Sequence, residues 1–281
     1  MHISLKLKVF FLMIIFMINH TCIAAADNIV VKGSTTVLPI VQAEAEAFMK
    51  KYPAINISLS GGGSGEGVKA LIDSMTDIAK SSRELRPEEI SLARKKGIQP
   101  VTHPIAVDVI VPIVHPQNKV KNLTIDQLSQ IYQGKIRNWK DVGGDDLPIV
   151  VVSRDSSSGT FESWGELILH KARVTPRAQM QASSGAIVQI VSKNKYAIGY
   201  IGMGYMNKTI SGLSVNGVEA NVATALSGKY PISRHLYVIT SGPPKGSTAL
   251  FIQFILSPEG QKIVEKIGFV PVKVKQAAKK K

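Results

Sequence analysis

The chain has 281 residues, with 34 Lys+Arg against 20 Asp+Glu and a formal charge of +14. Its one cysteine, Cys22, falls inside the first 26 residues, so a chain starting at residue 27 can form neither a disulfide nor a thiolate metal site. Scattered lysines, 6% aromatics and no stacking motif argue against nucleic acid as the primary partner, while a basic surface would still draw in small anions.

Lys6 and Lys8 precede the apolar run Val9–Ile18, and small residues follow up to Ala24-Ala25-Ala26. This order predicts an export signal over 1–26, cleaved after Ala26. The run is shorter than the roughly 20 residues that span a bilayer. Asn19-His20-Thr21 before Cys22 do not form a lipobox, so a free periplasmic protein is expected. Loss of two signal lysines and no acid leaves a charge near 14 − 2 = +12.

Ile29–Val31 reads as a strand running into Gly33-Ser34-Thr35-Thr36, with a helix from about Pro39. Ile55–Ser60 is a second strand, followed by the glycine-rich Gly61–Gly67 and a helix over Val68–Met75. Asp77–Ala79 enters a third strand that ends at Ser81-Ser82-Arg83. A long β-branched strand, Val107–Val114, precedes a helix near Thr124–Tyr132 and a turn-rich stretch over Gly134–Gly144. Ile149–Val152 is a strand leading into "SRDSSSGTF", and a helix is predicted from Phe161 to Ala172. Strands at Ile198–Ile201 and Leu236–Thr240, then helices at Thr248–Leu256 and Pro258–Ile267, complete the reading. The alternation predicts an α/β fold with a mostly parallel sheet.

Four loops share one chemistry. Each follows a strand and is rich in glycine or hydroxyls, and three lead into helices. Helix N-termini carry unpaired N–H groups and partial positive charge, so they receive anions. Hydroxyls add donors, and one arginine adds a bidentate fork for a tetrahedral oxyanion. In open α/β sheets, ligands gather beyond the carboxyl ends of the strands. Read one at a time, Ser34–Thr36 also fits an ordinary N-cap, Gly61–Gly67 a plain turn, and Ser82-Arg83 a cap with a surface arginine. The glycine-rich stretch lacks the Gly-Lys-Ser/Thr ending of a P-loop. His103, His115, His170 and His235 form no ligand-spaced cluster, and no serine stands in a nucleophile elbow, since "GGSGE" ends in Glu66. A hydrolase is therefore disfavoured, and no metal or cofactor is expected. A secreted adhesin using the basic surface would be compatible with the composition.

The segments "GSTTVLPI", "GGGSGEGVKAL", "GKIRNWKDVGG", "RDSSSGTFE", "GAIVQIVSKNKYAIGYIGMGY" and "YPISRHLYVIT" resemble, in order and spacing, the phosphate-binding subunit of the high-affinity phosphate ABC importer. That family is a type II periplasmic binding protein, and the likeness covers nearly all of the mature chain. It implies capture of inorganic phosphate in the periplasm and delivery to permease subunits in the inner membrane by a monomer. Sulfate, molybdate or tungstate is the alternative ligand. The phosphate-binding positions it implies are Ser34, Thr35 and Thr36 in the first loop, Ser64 in the second, Ser82 and Arg83 in the third, and Arg154, Ser158, Gly159 and Thr160 in the fourth. One of the two threonines matches the family's ligand threonine.

Many members carry an aspartate after the third strand that accepts the proton of hydrogen phosphate; here that position is Ser82. A second acid near the arginine in some members is Ser156 here. Asp108 and Asp155 are the candidate acceptors in their place, although Asp108 is equally readable as a solvated turn residue. The resemblance also implies two α/β lobes joined by two crossover strands with the ligand cleft between them. The expected division is 27–106 and 236–281 for lobe I and 107–235 for lobe II, with crossings near Val107–Val114 and Pro231–Val238.

Overall fold

The computed structural model describes residues 27–272, so the expected export signal and the basic tail from Lys273 lie outside the described residues. The first half runs β1 (Asp27–Gly33), α1 (Leu38–Lys51), β2 (Ile55–Leu59), α2 (Ser64–Ile72), β3 (Ile78–Ser81), α3 (Pro87–Lys95) and the long β4 (Val101–Val114). There follow β5 (Asn122–Leu123), α4 (Ile125–Tyr132), β6 (Val150–Arg154), α5 (Gly159–Leu167), β7 (Gln179–Gln181), α6 (Ser184–Lys193) and β8 (Ala197–Gly202). The remainder is β9 (Ser211–Gly212), β10 (Ser214–Val215), α7 (Val222–Leu226), β11 (Ser233–Thr240), α8 (Gly246–Ile255), α9 (Pro258–Lys266) and β12 (Val270–Pro271).

The main sheet has the order β2-β1-β3-β11-β4-β8-β6-β7, with β9 and β12 also on β4. β1 lies parallel to β2 and β3, and β6 parallel to β7 and β8. β11 is antiparallel to both β3 and β4. Apolar residues segregate on either side of the β4–β11 pair. One core gathers Ile29, Val41, Phe48, Leu236 and Phe251 under α1 and α8. The other gathers Ile113, Leu128, Trp139, Trp164 and Ile198 under α4, α5 and α6. Two α/β lobes result. β4 feeds both cores, through Ile105 and Ala106 in the first and Val109–Val114 in the second, while β11 gives Leu236 and Val238 to the first and Ile232, just ahead of it, packs in the second.

Several boundaries differ from the pattern reading for physical reasons. β4 starts at Val101, because Pro104 is tolerated where β11 is irregular between Leu236 and Tyr237. α2 starts at Ser64 and takes in Gly65 and Gly67, which composition alone assigns to a loop. Gly67 is helical because a Cβ there would come within 2.7 Å of the Gly33 Cα, so only glycine lets α2 lie this close to β1. α3 and α6 are not among the predicted helices, although α6 buries Ile187 and Val191 at i, i+4 spacing. α3 buries only Ala93.

Glu44, on α1, is fully buried and neither carboxylate oxygen has a hydrogen-bond partner. Burial, reinforced by Glu259, pushes its pKa up to about 8. The folded protein therefore holds a proton that the unfolded chain releases near its ordinary value of 4.5. A raised folded pKa makes stability greatest at low pH and diminishes it as pH rises through the window between those two values. Glu44→Gln removes that dependence. In urea melts the variant is expected to gain on the wild type between pH 5 and 8, by up to about 3 kcal/mol.

Candidate functional site

The site is assembled from chain ends at the carboxyl edge of the sheet. Gly33 ends β1 in the left-handed region (φ +117°), and a Cβ there would meet the Lys80 carbonyl at 2.4 Å. The Ser34 N–H donates to that same carbonyl at 2.9 Å, which turns Ser34-Thr35-Thr36 into the cleft ahead of α1. Lys80 is buried on β3 and donates Nζ to the Ser60 carbonyl at 3.0 Å. It thereby fixes the end of β2 from which the glycine loop departs, and burial brings its own pKa down to about 8.

Four helix N-termini converge here. α1 follows Thr36, and α2 starts at Ser64. α5 is capped by Ser158, whose Oγ accepts from the Thr160 and Phe161 N–H groups, and α6 is capped by Ser183. Thr36 Oγ1 lies 2.8 Å from Thr160 Oγ1. Thr35 Oγ1 accepts from the Ser184 N–H at 3.2 Å. Ser64 Oγ accepts from the Ser82 N–H at 3.0 Å and lies 3.3 Å from Ser82 Oγ. Gly159 faces this pair so closely that a Cβ would sit 2.4 Å from Ser64 Oγ and 2.8 Å from Ser82 Oγ. Ser34, Thr35, Thr36, Ser64, Ser82, Arg154, Ser158, Gly159 and Thr160 are thus brought together, all of them buried.

Arg154 ends β6 with 2% of its surface exposed. Its Nε donates to the Gln181 carbonyl at 3.0 Å and its Nη2 to the Ala182 carbonyl at 2.9 Å. Nη1 points to hydroxyls, 3.2 Å from Thr35 Oγ1 and 3.4 Å from Ser184 Oγ. The nearest carboxylate oxygen, Asp155 Oδ2, is 3.9 Å from Nη2. Burial works against this guanidinium's charge, and Asp155 only partly offsets it. A buried cation held by carbonyls and hydroxyls, without bidentate pairing, is matched by an anion. Behind it, the Tyr200 hydroxyl accepts from the Arg154 N–H and shares a hydrogen bond with Ser153 Oγ. The Tyr200 ring stacks on Trp164 with centroids 4.3 Å apart.

Two residues depart from the sequence expectation. Arg83 does not turn its guanidinium to the hydroxyl cluster. Its Nη atoms make a bidentate pair with Glu89 at 2.7 and 2.8 Å, and Nε lies 2.6 Å from Glu162 Oε2. Asp108 is not a solvated turn residue but is fully buried on β4, opposite Arg234 of β11. Its Oδ2 receives Arg234 Nη2 at 3.0 Å and Nε at 3.2 Å, and its Oδ1 receives the Met203 N–H at 3.0 Å. Burial raises the Asp108 pKa, and Arg234 with the Met203 and Val109 N–H groups offsets this only in part. Arg234 also donates to Thr160 Oγ1 at 2.9 Å. Since a guanidinium can only donate, the Thr160 oxygen is the acceptor here and its own proton points elsewhere.

Sequence reasoning overlooked Arg234, Ser184 and Tyr205, whose hydroxyl donates to the Thr35 carbonyl. Arg234 and Ser184 lie in or beside segments quoted for the resemblance, but nothing in their own spacing marks them. Among the described residues no group of three His, Cys, Asp or Glu could hold a metal ion.

This cleft between two α/β lobes, lined by helix N-termini, defines a solute-binding protein, and a family model described as a PBP superfamily domain matches residues 23–259. The phosphate-binding protein PstS of Borreliella burgdorferi is 34% identical over 280 residues, covering 93% of this chain and 98% of that one. PstS of Bacillus subtilis is 31% identical, covering 88% and 82%. Among solved structures, a Clostridium perfringens protein assigned as a phosphate ABC transporter substrate-binding protein, with bound phosphate, superposes with a TM-score of 0.82 at 40% identity. It covers 88% of this chain and all of that one. The chain belongs to the PstS family of phosphate-binding proteins.

Removing one partner of a buried ion pair leaves a charge uncompensated. Asp108→Ala is expected to lower stability by about 3–5 kcal/mol in chemical denaturation. Combining it with Arg234→Met should recover much of that loss, because neither strand then leaves an unpaired charge at this position.

Proposed function

We propose that this protein captures inorganic phosphate in the cleft and hands it to the membrane subunits of an ABC importer, working as a binding protein and not a catalyst. The observation that carries this reading is Arg154, buried beside Thr35 and Ser184 hydroxyls with no carboxylate in bidentate contact. Thr35, Thr36, Ser64, Ser82, Ser158 and Thr160, with the amides at the start of α5, are the proposed donors. Gly159 keeps the lobes close enough for both sets to reach one anion. Arg83 drops from this set because carboxylates occupy its guanidinium. The phosphate-bound relative at 40% identity supports the ligand. Export through the 1–26 signal and release as a free monomer complete the proposal.

Phosphate is distinguished from fully ionised sulfate by an acceptor for its proton. With Asp108 committed to Arg234, Asp155 is the better candidate. Its Oδ1 accepts from the Ser157 N–H and hydroxyl, while Oδ2 is buried without a hydrogen-bond partner. Calorimetric titration is expected to give tight phosphate binding that survives excess sulfate, molybdate or tungstate. Arg154→Ala should weaken it about 100-fold or more. Asp155→Asn should leave an anion site that no longer separates phosphate from sulfate. No heat with phosphate at neutral pH would overturn the reading.

A further inference from the structure

Glu162 lies in the first turn of α5, in the second lobe, yet its carboxylate is claimed by two arginines of the first lobe. Arg86 Nε donates to Oε2 at 2.9 Å, and Arg86 Nη2 lies 2.5 Å from Oε1. Arg83 Nε is 2.6 Å from Oε2, a close ion pair without hydrogen-bond alignment. Arg83 cannot swing away freely, because Glu89 of α3 holds its other two nitrogens and also accepts from the Arg86 N–H at 2.9 Å. The Arg83 and Glu162 side chains are 8% and 18% exposed, so solvent screens this contact far less than an ordinary surface pair. Beside it the lobes also meet through the backbone, where the Gly65 N–H donates to the Ser157 carbonyl at 3.0 Å.

We infer that Glu162, with Arg83 and Arg86, is a latch between the lobes that sets how long phosphate stays bound, without touching the phosphate. Glu162 is a positioning residue in this scheme. Its ion pairs span the cleft, so they exist only when the lobes meet and are lost on opening. Arg83 and Glu89 stay paired within the first lobe in either state and present a preformed receptor to the carboxylate. The interaction free energy therefore falls wholly on the closed form, which is the condition for it to shift the equilibrium between open and closed. Encounter with phosphate occurs in the open form and does not feel the latch; release does.

The inference rests on phosphate capture for its probe, so binding is followed by stopped flow with inorganic phosphate and the free protein is measured alongside. Glu162→Gln keeps the side-chain shape and removes the charge. It is expected to raise the phosphate dissociation rate constant about tenfold or more, with the association rate constant changed less than about twofold. The melting temperature of the ligand-free protein should stay within about 2 °C. Glu162→Asp should restore part of the slow release. Glu259→Gln, which breaks the exposed Lys51–Glu259 pair inside one lobe, should change neither rate. An unchanged dissociation rate in Glu162→Gln overturns the latch, as does a slower association rate alone. A lower melting temperature without a change in release would make Glu162 a merely structural residue. Failure of the wild type to bind phosphate would instead overturn the capture reading. The latch is then judged by the same stopped-flow comparison with sulfate, molybdate or tungstate, where an unchanged dissociation rate in Glu162→Gln overturns it.

Discussion

A guanidinium buried without a carboxylate in bidentate contact is the most demanding feature of this molecule. Isolated charge is expelled from protein interiors unless dipoles or a counter-charge surround it. Arg154 is kept inside by two carbonyls, two hydroxyls and the floor laid by Tyr200. Those partners come from the end of β7, the start of α6, β8 and the loop after β1, so both lobes must be correctly folded and adjacent for the charge to be tolerated. The rest of the site obeys the same rule. Helix N-termini and hydroxyls present partial positive charge toward one place, an arrangement that favours an incoming anion over water.

The Asp108–Arg234 pair solves the complementary problem on the strands that join the lobes. These residues face each other in register, one on each crossover strand, with the Asp108 side chain fully buried and that of Arg234 nearly so. A neutral pair of apolar residues could fill that volume with less desolvation. The ion pair does something an apolar pair cannot, because Arg234 continues to Thr160 and donates to its hydroxyl oxygen. Hinge and site are therefore one hydrogen-bonded unit, running from Met203 through Asp108 and Arg234 to Thr160 and Thr36.

Most of the architecture was legible in the chain because it rests on local signals. Alternating β-branched residues marked the strands, Pro39 and Pro258 marked helix starts, and glycine-hydroxyl loops marked the carboxyl ends of strands. What escaped depends on long-range pairing. Arg83 sits in a loop of the right chemistry, and only the positions of Glu89 and Glu162 turn it elsewhere. Asp108 and Arg234 are 126 residues apart in the chain, and neither carries any local sign of the other. Ser184 is 30 residues from Arg154 in the chain, and only the fold brings its hydroxyl to the guanidinium. The glycines of 61–67 read as flexibility but serve proximity, with Gly67 against Gly33 and Gly63 against Ser157.

The stack of Trp164 on Tyr200 has an optical consequence. Trp164 belongs to α5, the helix whose first turn forms part of the cleft, and its stacking partner hydrogen-bonds the backbone of Arg154. The other tryptophan, Trp139, lies in the second lobe's core with its indole N–H on the Tyr196 carbonyl, remote from these groups. One indole of the chain is therefore coupled to Arg154 through a single ring and the other is not. The protein carries its own spectroscopic reporter, in which a change of charge at Arg154 is felt by one emitter against an internal standard.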